Sequence, residues 1–261
     1  MNDRRLVLEL RNVGVCYRRR RGLFTRRAAG FWAIHDLSLE LCRGETLGVV
    51  GRNGAGKSTL LRLLAGITRP DRGEYVNHGY QAALLSLQVG FVQHLSGREN
   101  VMLSGLLLGL PRREIARRMD SIIAFAELEE FIDEPIQTYS SGMRARLGFS
   151  TAFHVNPDIL LIDEVLGVGD AAFVEKSKAV MKDKIRSEAT VVLVSHSARA
   201  IRSLCDRAVW IDRGRLRKSG DVRSVLAEYK ASIGTASGGK REIGEEPEAD
   251  ATDAGSRNGR G

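Results

Sequence analysis

The fold is decided by a stretch of eight residues, Gly51-Arg52-Asn53-Gly54-Ala55-Gly56-Lys57-Ser58. Its glycines let consecutive backbone N–H groups turn inward on a bound phosphate, Lys57 can reach the β and γ oxygens, and Ser58 can hold magnesium. A strand-like run, residues 46–50, precedes the stretch, and a helix-like run that begins at Thr59 follows it. This order of strand, loop and helix is the context of a phosphate-binding loop. We assign the eight residues and Thr59 to nucleotide binding.

The chain around this loop predicts an α/β fold. Strand-like and helix-like segments alternate from residue 46 onward, as a mostly parallel sheet flanked by helices requires. Residues 159–162 and 191–194 are continuous apolar runs, which are typical of strands covered on both faces. Residues 6–17 and 33–41 instead predict an antiparallel pair of strands. We therefore predict a P-loop NTPase core with a mostly parallel sheet and an antiparallel N-terminal β subdomain.

Two further segments complete the predicted organisation. Apolar residues such as Ile115, Met119 and Ile122 recur at helical spacing between about residues 100 and 155, which predicts an inserted helical subdomain. A hairpin at residues 212–214 is followed by a short helix with its cap near Asp221. Residues 232–261 are rich in Gly, Ala, Ser, Asp and Glu and are predicted to be a disordered tail. The nucleotide-binding domain is expected to span residues 1–231.

Composition limits the classes of protein to consider. The 261 residues are 43% hydrophobic, contain no apolar run of membrane-spanning length and begin without an export signal. Cys16, Cys42 and Cys205 lack metal-ligand spacing and fit buried thiols in a reducing compartment, so we expect a cytoplasmic protein. The net charge is +8, and six arginines are concentrated in residues 18–27. That segment fits either a contact with lipid head groups or a polyanion, or a solvated hairpin.

Two acids and a histidine at predicted strand ends are candidates for catalysis. Asp163 ends an apolar strand and can order a magnesium shell, and Glu164 beside it can polarise an attacking water. His196 follows the strand at 191–194, so its ring is expected at the carboxyl edge of the sheet, where α/β folds bind ligands. There it can contact the γ-phosphate and the attacking water. Together with Lys57, these three residues form the predicted catalytic set.

The ordered set resembles the ATPase subunit of an ATP-binding-cassette (ABC) transporter over residues 6–229. Residues 139–143, Tyr-Ser-Ser-Gly-Met, occupy the position of the family signature, directly before a predicted helix at 144–154. They differ from the commonest form, Leu-Ser-Gly-Gly-Gln, in three places but keep Ser140 and Gly142. The resemblance implies that these two residues grip the γ-phosphate of ATP bound to an opposite subunit, through a hydroxyl and a helix N-terminus.

The variant signature is similar to that of exporters of bacterial surface polysaccharides, such as O-antigen, capsule, teichoic acid and mycobacterial galactan. Residues 31–34, 96–100 and 165–170 resemble the same subgroup. The resemblance gives Asp170 the role of the aspartate that couples the two ATP sites of a dimer. It implies an ATP-hydrolysing subunit that powers the export of a lipid-linked surface polysaccharide. We expect no carbohydrate-binding domain after the core.

Two site residues are harder to place. The subgroup often lacks a glutamine at the usual position of the glutamine loop, and Gln88 and Gln93 are both candidates here. We choose Gln88 as the magnesium and coupling ligand because it lies eight residues before Ser96, near the usual offset. The adenine needs an aromatic face at the end of the first strand. Tyr17 supplies that face, and Trp32 is the reserve candidate.

The resemblance also implies cofactors and partners. The expected cofactors are ATP and Mg²⁺, with Ser58, Gln88 and Asp163 as metal ligands. The active unit is expected to be a head-to-tail dimer of two copies, bound to an integral-membrane permease at the cytoplasmic face of the inner (plasma) membrane. We expect no nucleic-acid partner. The alternative hypotheses are an ABC exporter of a drug or lipid and, with less support, a soluble ABC ATPase acting on ribosomes or nucleic acid.

Overall fold

The computed structural model describes residues 5–17, 30–85, 90–155, 157–163, 170–186 and 189–238. The strands are β1 (Leu6–Tyr17), β2 (Phe31–Cys42), β3 (Thr46–Val50), β4 (Arg72–Asn77), β5 (Ala82–Leu85), β6 (Ile159–Asp163), β7 (Thr190–Val194), β8 (Arg207–Asp212) and β9 (Arg215–Gly220). The helices are α1 (Lys57–Leu64), α2 (Gly97–Leu107), α3 (Arg112–Ala126), α4 (Ser141–Val155), α5 (Ala171–Arg186), α6 (Ala198–Leu204) and α7 (Val222–Gly238), with a 3₁₀ turn at Ile136–Thr138.

The strands form two sheets, and their pairing confirms the predicted fold class. β1 pairs antiparallel with both β2 and β4 in a three-stranded sheet. The second sheet has the strand order β5-β6-β7-β3-β8-β9. Its first five strands are parallel, and β9 runs antiparallel to β8 at one edge. β3, β6 and β7 are buried over at least four of their five residues, because helices and the antiparallel sheet cover both of their faces.

Strand β6 illustrates this two-sided burial. Ile159 and Leu161 belong to an apolar cluster with α1 and the antiparallel sheet. Leu160 and Ile162 point the other way, into a cluster with α4, α5, α6 and α7. Successive side chains of a strand alternate between faces, so one short apolar run serves both halves of the core. The carboxyl end of β6 is thereby fixed from both sides.

The inserted helical subdomain has a core of its own. The residues at helical spacing along α3 are buried, and they pack with residues of α2, α4 and the connecting loop. The three helices lie in the chain between β5 and β6, as the periodicity of the sequence predicts.

Helix α7 differs from its prediction in length. Asp221 caps it as expected, because its Oδ1 accepts a hydrogen bond from Ser224 N at 3.0 Å. The helix then runs for 17 residues to Gly238, so the predicted tail boundary at 232 falls inside it. Val225 and Leu226 anchor its first turns in the core, and the Ala and Ser residues that follow are compatible with a helix. Residues 239–261 of the predicted tail lie outside the described residues.

Two further expectations concern the membrane and the thiols. Within the described ranges, every helix is too short or too polar to cross a bilayer. Cys16, Cys42 and Cys205 are each partly buried, and none of these three described cysteines is in a disulfide. Burial raises the pKa of Cys205 to about 12, and the neighbouring Asp206 adds to this shift.

Candidate nucleotide-binding site

The phosphate-binding loop connects β3 to α1, as predicted. Gly56 caps α1 with a φ of 106°, a backbone conformation that side chains other than glycine rarely adopt. A Cβ atom at Gly56 would lie 2.5 Å from the backbone oxygen of Ala33 in β2. A Cβ atom at Gly51 would lie 2.3 Å from the backbone oxygen of Ile211 in β8. These two glycines allow the loop to lie directly against the neighbouring strands.

An open cavity of about 400 Å³ lies in front of this loop. All but two of its lining residues belong to the site predicted from the sequence, and the exceptions are Phe31 and Ala33. The loop, α1 and the ends of β1, β6 and β7 contribute to it, so it lies at the carboxyl edge of the parallel sheet. The lining residues are Tyr17, Phe31, Ala33, Asn53, Gly54, Gly56, Lys57, Ser58, Thr59, Asp163 and His196.

Lys57 is folded back onto the loop. Its side chain is buried, and its Nζ donates hydrogen bonds to the backbone oxygens of Gly51 at 2.8 Å and Arg52 at 3.1 Å. Ser58 is exposed in the first turn of α1, where backbone N–H groups have no partner within the helix. An anionic phosphate is favoured at such a helix start. The cavity therefore offers an ammonium group, backbone N–H groups and a hydroxyl to one phosphate chain.

Asp163 and His196 reach the same cavity from adjacent strands. Asp163 ends β6 and is the register partner of Val194, the last residue of β7. Ser197 caps α6 and so fixes the short turn that carries His196. In the structure, these two side chains line the same cavity as the loop, as the sequence predicts. Glu164 lies outside the described residues, and its role as the water-polarising base stays a prediction.

The aromatic wall of the cavity consists of Tyr17 and Phe31, which are cross-strand partners at the end of β1 and the start of β2. Their exposed fractions are 42% and 65%. Trp32 lies on the opposite face of the sheet, where the guanidinium of Arg72 stands 4.5 Å from its ring. It lines a different cavity, so the reserve candidate for adenine is not supported. The sequence analysis did not name Phe31 as a site residue. Because successive residues of a strand point to opposite faces of the sheet, Phe31 lies on the face opposite to Trp32.

The loop residues divide between two surfaces. Arg52 and Ala55 line a second cavity of about 640 Å³, whose wall also includes Trp210 of β8. Asn53 and Gly54 line both cavities. The side chains of Arg52 and Ala55 thus face away from the nucleotide cavity, and any phosphate contact that they make comes from the backbone.

The signature residues stand at the start of α4. Ser140 Oγ accepts a hydrogen bond from Met143 N at 3.1 Å, so Ser140 caps this helix. A Cβ atom at Gly142 would meet only Ser140 Oγ, at 3.8 Å, which leaves this helix start open to an approaching group. Neither residue lines the nucleotide cavity of the same chain. Within the described residues, one copy therefore does not bring the two halves of the predicted site together.

The tyrosine of the variant signature has a structural explanation. Tyr139 is 3% exposed, and its hydroxyl donates to the backbone oxygen of Phe131 at 2.6 Å. A Cβ atom at Gly97 would lie 2.3 Å from this hydroxyl, so only glycine leaves room for it. Burial raises the pKa of Tyr139 to about 12, and the nearby Asp133 and Glu134 add to the shift. Two of the segments that suggested the subgroup, 139–143 and 96–100, are thus in direct contact.

Asp170 lies at the start of α5. Its Oδ1 accepts a hydrogen bond from Phe173 N at 2.9 Å, and its Oδ2 lies 3.8 Å from the guanidinium of Arg146 in α4. The hydrogen bond and, more weakly, this guanidinium hold the pKa of Asp170 below its usual value. Asp170 is thereby linked to the signature helix. Gln88 lies outside the described residues, and Gln93 lines a separate cavity of about 390 Å³.

Comparison of the sequence with known proteins identifies relatives of the expected kind. The family model described as "ABC transporter" matches residues 34–167. The O-antigen export system ATP-binding protein RfbB of Klebsiella pneumoniae is 47% identical over 203 residues, which are 78% of this chain and 82% of that protein. RfbB of Myxococcus xanthus is 49% identical over 212 residues, 81% of this chain and 48% of the relative. The teichoic acids export ATP-binding protein TagH of Enterococcus faecalis is 44% identical, over 81% of this chain and 47% of the relative.

The chain thus spans about half the length of some relatives and four fifths of others.

Solved structures agree on the fold. A dimeric ATP-binding cassette in a post-hydrolysis state, bound to ADP and Pi, has a TM-score of 0.66 at 22% identity and covers 83% of this chain and 99% of its own. An ATP-binding subunit of an ABC transporter has a TM-score of 0.68 at 22% identity, and the match covers 87% of this chain and 99% of that subunit. The resemblance seen in the sequence is confirmed: the chain belongs to the ABC transporter family, as one of its ATP-binding and ATP-hydrolysing subunits.

Proposed function

We propose that this ATPase powers the export of a lipid-linked surface polysaccharide, of the O-antigen, capsule, teichoic acid or galactan type, through a separate membrane permease. The observation that carries the proposal is the similarity to an O-antigen export subunit of which the chain covers 82% at 47% identity. The contact between Gly97 and Tyr139 adds support, because it joins two segments that distinguish the polysaccharide subgroup. The names of the relatives favour this cargo over the alternative, a drug or lipid.

The active unit of the proposal is a dimer of two copies. The cavity of one copy contains Lys57, Asp163 and His196 but neither Ser140 nor Gly142. A second copy that presents the start of its α4 to this cavity adds a hydroxyl and free backbone N–H groups at the γ-phosphate. ATP then binds the paired state better than the single subunit and draws two copies together. The dimeric state of a cassette of the same fold supports this arrangement.

Within this site, each residue has a defined task. Lys57 neutralises the β and γ oxygens, His196 holds the γ-phosphate and the attacking water, and Glu164 accepts the proton of that water. Asp170 couples the two sites across the dimer. The hydroxyl of Ser58 and the carboxylate of Asp163 line one cavity and are the hard oxygen ligands that Mg²⁺ prefers, with Gln88 as the further ligand. An ion held by these residues would supply positive charge against the negative charge that develops on the phosphates.

Hydrolysis would be coupled to a permease through rigid-body motion. Closure of the two copies on ATP and their reopening after hydrolysis move the helical subdomain, which is the part that we expect to contact the permease. The protein would then act at the cytoplasmic face of the inner membrane, held there through its partner. The arginine-rich residues 18–27 lie outside the described residues, and their contact with lipid or carrier remains a hypothesis.

The cargo can be tested in cells by replacing Lys57 with alanine. The variant loses its hold on the phosphates, so the exported polymer should accumulate on the inner side of the membrane while the cell surface is depleted of it. Glycan analysis of intact cells and of spheroplast lysates measures the two pools. Lys182→Ala, which changes an exposed lysine of α5, is the control and should leave both pools unchanged. An unchanged surface polymer together with new sensitivity to a small hydrophobic drug would favour the drug exporter.

A further inference from the structure

A buried asparagine in α2 holds the segment that follows β5. The side chain of Asn100 is 0% exposed. Its Oδ1 accepts a hydrogen bond from Val92 N at 2.7 Å. Its Nδ2 lies within 3.1 Å of the backbone oxygens of Val92, Leu95 and Ser96, so its two N–H groups are shared among three acceptors. One amide thus fixes the backbone of residues 92–96.

The same segment is bonded to the turn that precedes the signature. Ile136 N donates to Leu95 O at 2.9 Å, and Gln137 N donates to Gln93 O at 3.0 Å. Ser96 also forms an isolated antiparallel bridge with Pro135. The 3₁₀ turn at Ile136–Thr138 ends one residue before Tyr139 and two before Ser140. A continuous set of bonds therefore leads from Asn100 to the start of the signature helix.

Burial makes this arrangement rigid. Asn100 is buried and precedes Val101, a member of the apolar core of the helical subdomain that also includes Ile136. A buried amide that satisfies its donors and acceptors in one geometry strongly disfavours other geometries, because each lost bond would leave an unpaired polar group out of water. The capping box of Ser96 and Glu99 fixes the start of α2 independently. Residues 92–96 and 135–139 should therefore move as one body with α2.

We propose that Asn100 is a positioning residue for the ATP site formed between two copies, and that it acts by holding the 92–96 segment and, through it, the turn that carries Ser140. The inference rests on the proposed two-copy site. It predicts that disturbing Asn100 leaves the nucleotide cavity of its own chain intact, since the residue is absent from the lining of that cavity. The same change should misplace the hydroxyl and helix start offered to the other copy.

Asn77 provides a matched control. Its side chain also ties a turn, because its Oδ1 accepts from Gly79 N at 3.0 Å and Tyr80 N at 2.9 Å and its Nδ2 donates to Tyr80 O at 2.8 Å. It is exposed and lies at the end of β4, in the antiparallel sheet. Replacing either asparagine by aspartate keeps the shape, removes the N–H donors and adds a carboxyl group, which is buried at position 100 and exposed at position 77, so the uncharged Asn100→Ser is tested as well. The comparison shows whether an effect on pairing comes from the loss of any asparagine-bonded turn or only from the loss of the bonds that Asn100 makes to residues 92–96.

The experiment uses the hydrolysis-deficient Glu164→Gln chain, in which ATP should hold the dimer. Adding Asn100→Asp should weaken the ATP-driven dimer at least tenfold in sedimentation, while binding of a fluorescent ATP analogue to the single subunit changes less than twofold. Adding Asn77→Asp should change neither. If Asn100→Asp loses analogue binding through misfolding, Asn100→Ser takes its place with the same expectation.

The outcomes are separable. A Glu164→Gln chain that binds ATP but does not dimerise overturns the two-copy site and the inference with it. Dimerisation of Glu164→Gln that Asn100→Asp or Asn100→Ser leaves unaltered overturns the inference alone. Hydrogen exchange of the unmodified chain adds a test without any variant. The amides of Ile136 and Gln137 should be protected together with Val92, and exchange at the rate of an open loop would refute the proposed rigid connection.

Discussion

The two ends of the proposed ATP site are built in different ways. At the nucleotide cavity, backbone geometry dominates: Gly51 and Gly56 lie against neighbouring strands, and Tyr17, Phe31 and Ser58 remain exposed. At the signature, buried side chains dominate, because Tyr139 and Asn100 fix the turn before α4 through hydrogen bonds in an apolar core. The first end is shaped to receive a ligand. The second is fixed within its own chain, as its proposed presentation to another copy requires.

This difference predicts how each end responds to substitution. Exposed side chains at the cavity contribute little to the stability of the fold, so their loss should lower the rate of ATP hydrolysis and leave the free energy of unfolding nearly unchanged. Buried groups behind the signature have few alternatives to their present contacts, so their loss should appear in stability as well as in pairing. Substitution of exposed side chains at the cavity should therefore affect chemistry alone, whereas substitution of buried side chains behind the signature should also lower stability.

The largest effect is expected for Glu164→Gln. Loss of a general base typically slows turnover by about 10² to 10⁴ times. The variant should still bind ATP and should unfold at the same urea concentration, since the change is chemical. Glu175→Gln, at an exposed glutamate of α5, is the control and should retain full turnover. Near-normal ATP hydrolysis by purified Glu164→Gln would remove Glu164 from the catalytic set.

Gly56→Ala should show the dependence of the cavity on backbone geometry. The added methyl group would sit on a backbone with a φ of 106° and 2.5 Å from Ala33 O. We therefore expect a loss of roughly 3 kcal/mol in the free energy of unfolding, together with loss of ATP binding. Gly66→Ala has a similar backbone, with a φ of 70°, but no atom within 4 Å. It should cost only about 1 kcal/mol. Equal losses in urea unfolding would show that contact with β2 is unimportant.

Gly97 and Tyr139 should be coupled at the signature end. Gly97→Ala forces a methyl group against the tyrosine hydroxyl and should cost about 2 kcal/mol of stability. Tyr139→Phe removes that hydroxyl and its hydrogen bond to Phe131 O, which keeps the bond from Glu134 N, at a cost of about 1 kcal/mol. The double variant should cost less than the sum, by about 1 kcal/mol. Urea unfolding measures the cycle, and Gly97→Ala with Tyr229→Phe should be additive. Additivity in the first pair would disprove the contact.

The smallest effect concerns Lys184, which links α5 to the helical subdomain. Its Nζ donates to Phe153 O at 2.6 Å, and burial and the charge of Arg118 lower its pKa to about 8. The unfolded chain then binds more protons than the folded chain between about pH 8 and the ordinary lysine pKa of 10.5. Stability due to this group therefore rises with pH in that window. Relative to Lys184→Met, the unmodified chain should gain about 1 to 2 kcal/mol between pH 7.5 and 10, after allowance for its partial exposure.

Thermal or urea unfolding of both chains at each pH measures this gain. The comparison with the variant cancels the opposite contribution of Cys205, whose raised pKa lowers stability as the pH rises above 9. Lys182→Met, at an exposed lysine of the same helix, should follow the unmodified chain. A constant difference between the unmodified chain and Lys184→Met across the pH range would contradict the assigned burial.

The nucleotide end could be predicted from contiguous residues. Residues 51–58 are contiguous, and a phosphate-binding loop depends on local glycine geometry between a strand and a helix, so the pattern is visible without the fold. Asp163 and His196 follow apolar runs, and the carboxyl ends of parallel strands meet at one edge. Periodicity likewise predicted α3, because a buried helix face repeats every three or four residues. Phe31 was missed, since its pairing with Tyr17 depends on the register of β2 against β1.

The arrangement of the signature end could not be predicted from the sequence and became visible only in the folded structure. Gly97 and Tyr139 are 42 residues apart, and neither has a local pattern that predicts their contact. The role of Asn100 depends on carbonyls that point to it from a loop, and backbone direction in a loop does not follow from residue type. The start of α7 is packed in the core through Val225 and Leu226, whereas its extension to Gly238 runs through residues that carry little apolar signal in the sequence. Local backbone geometry depends on contiguous residues, whereas packing between distant segments depends on the complete fold.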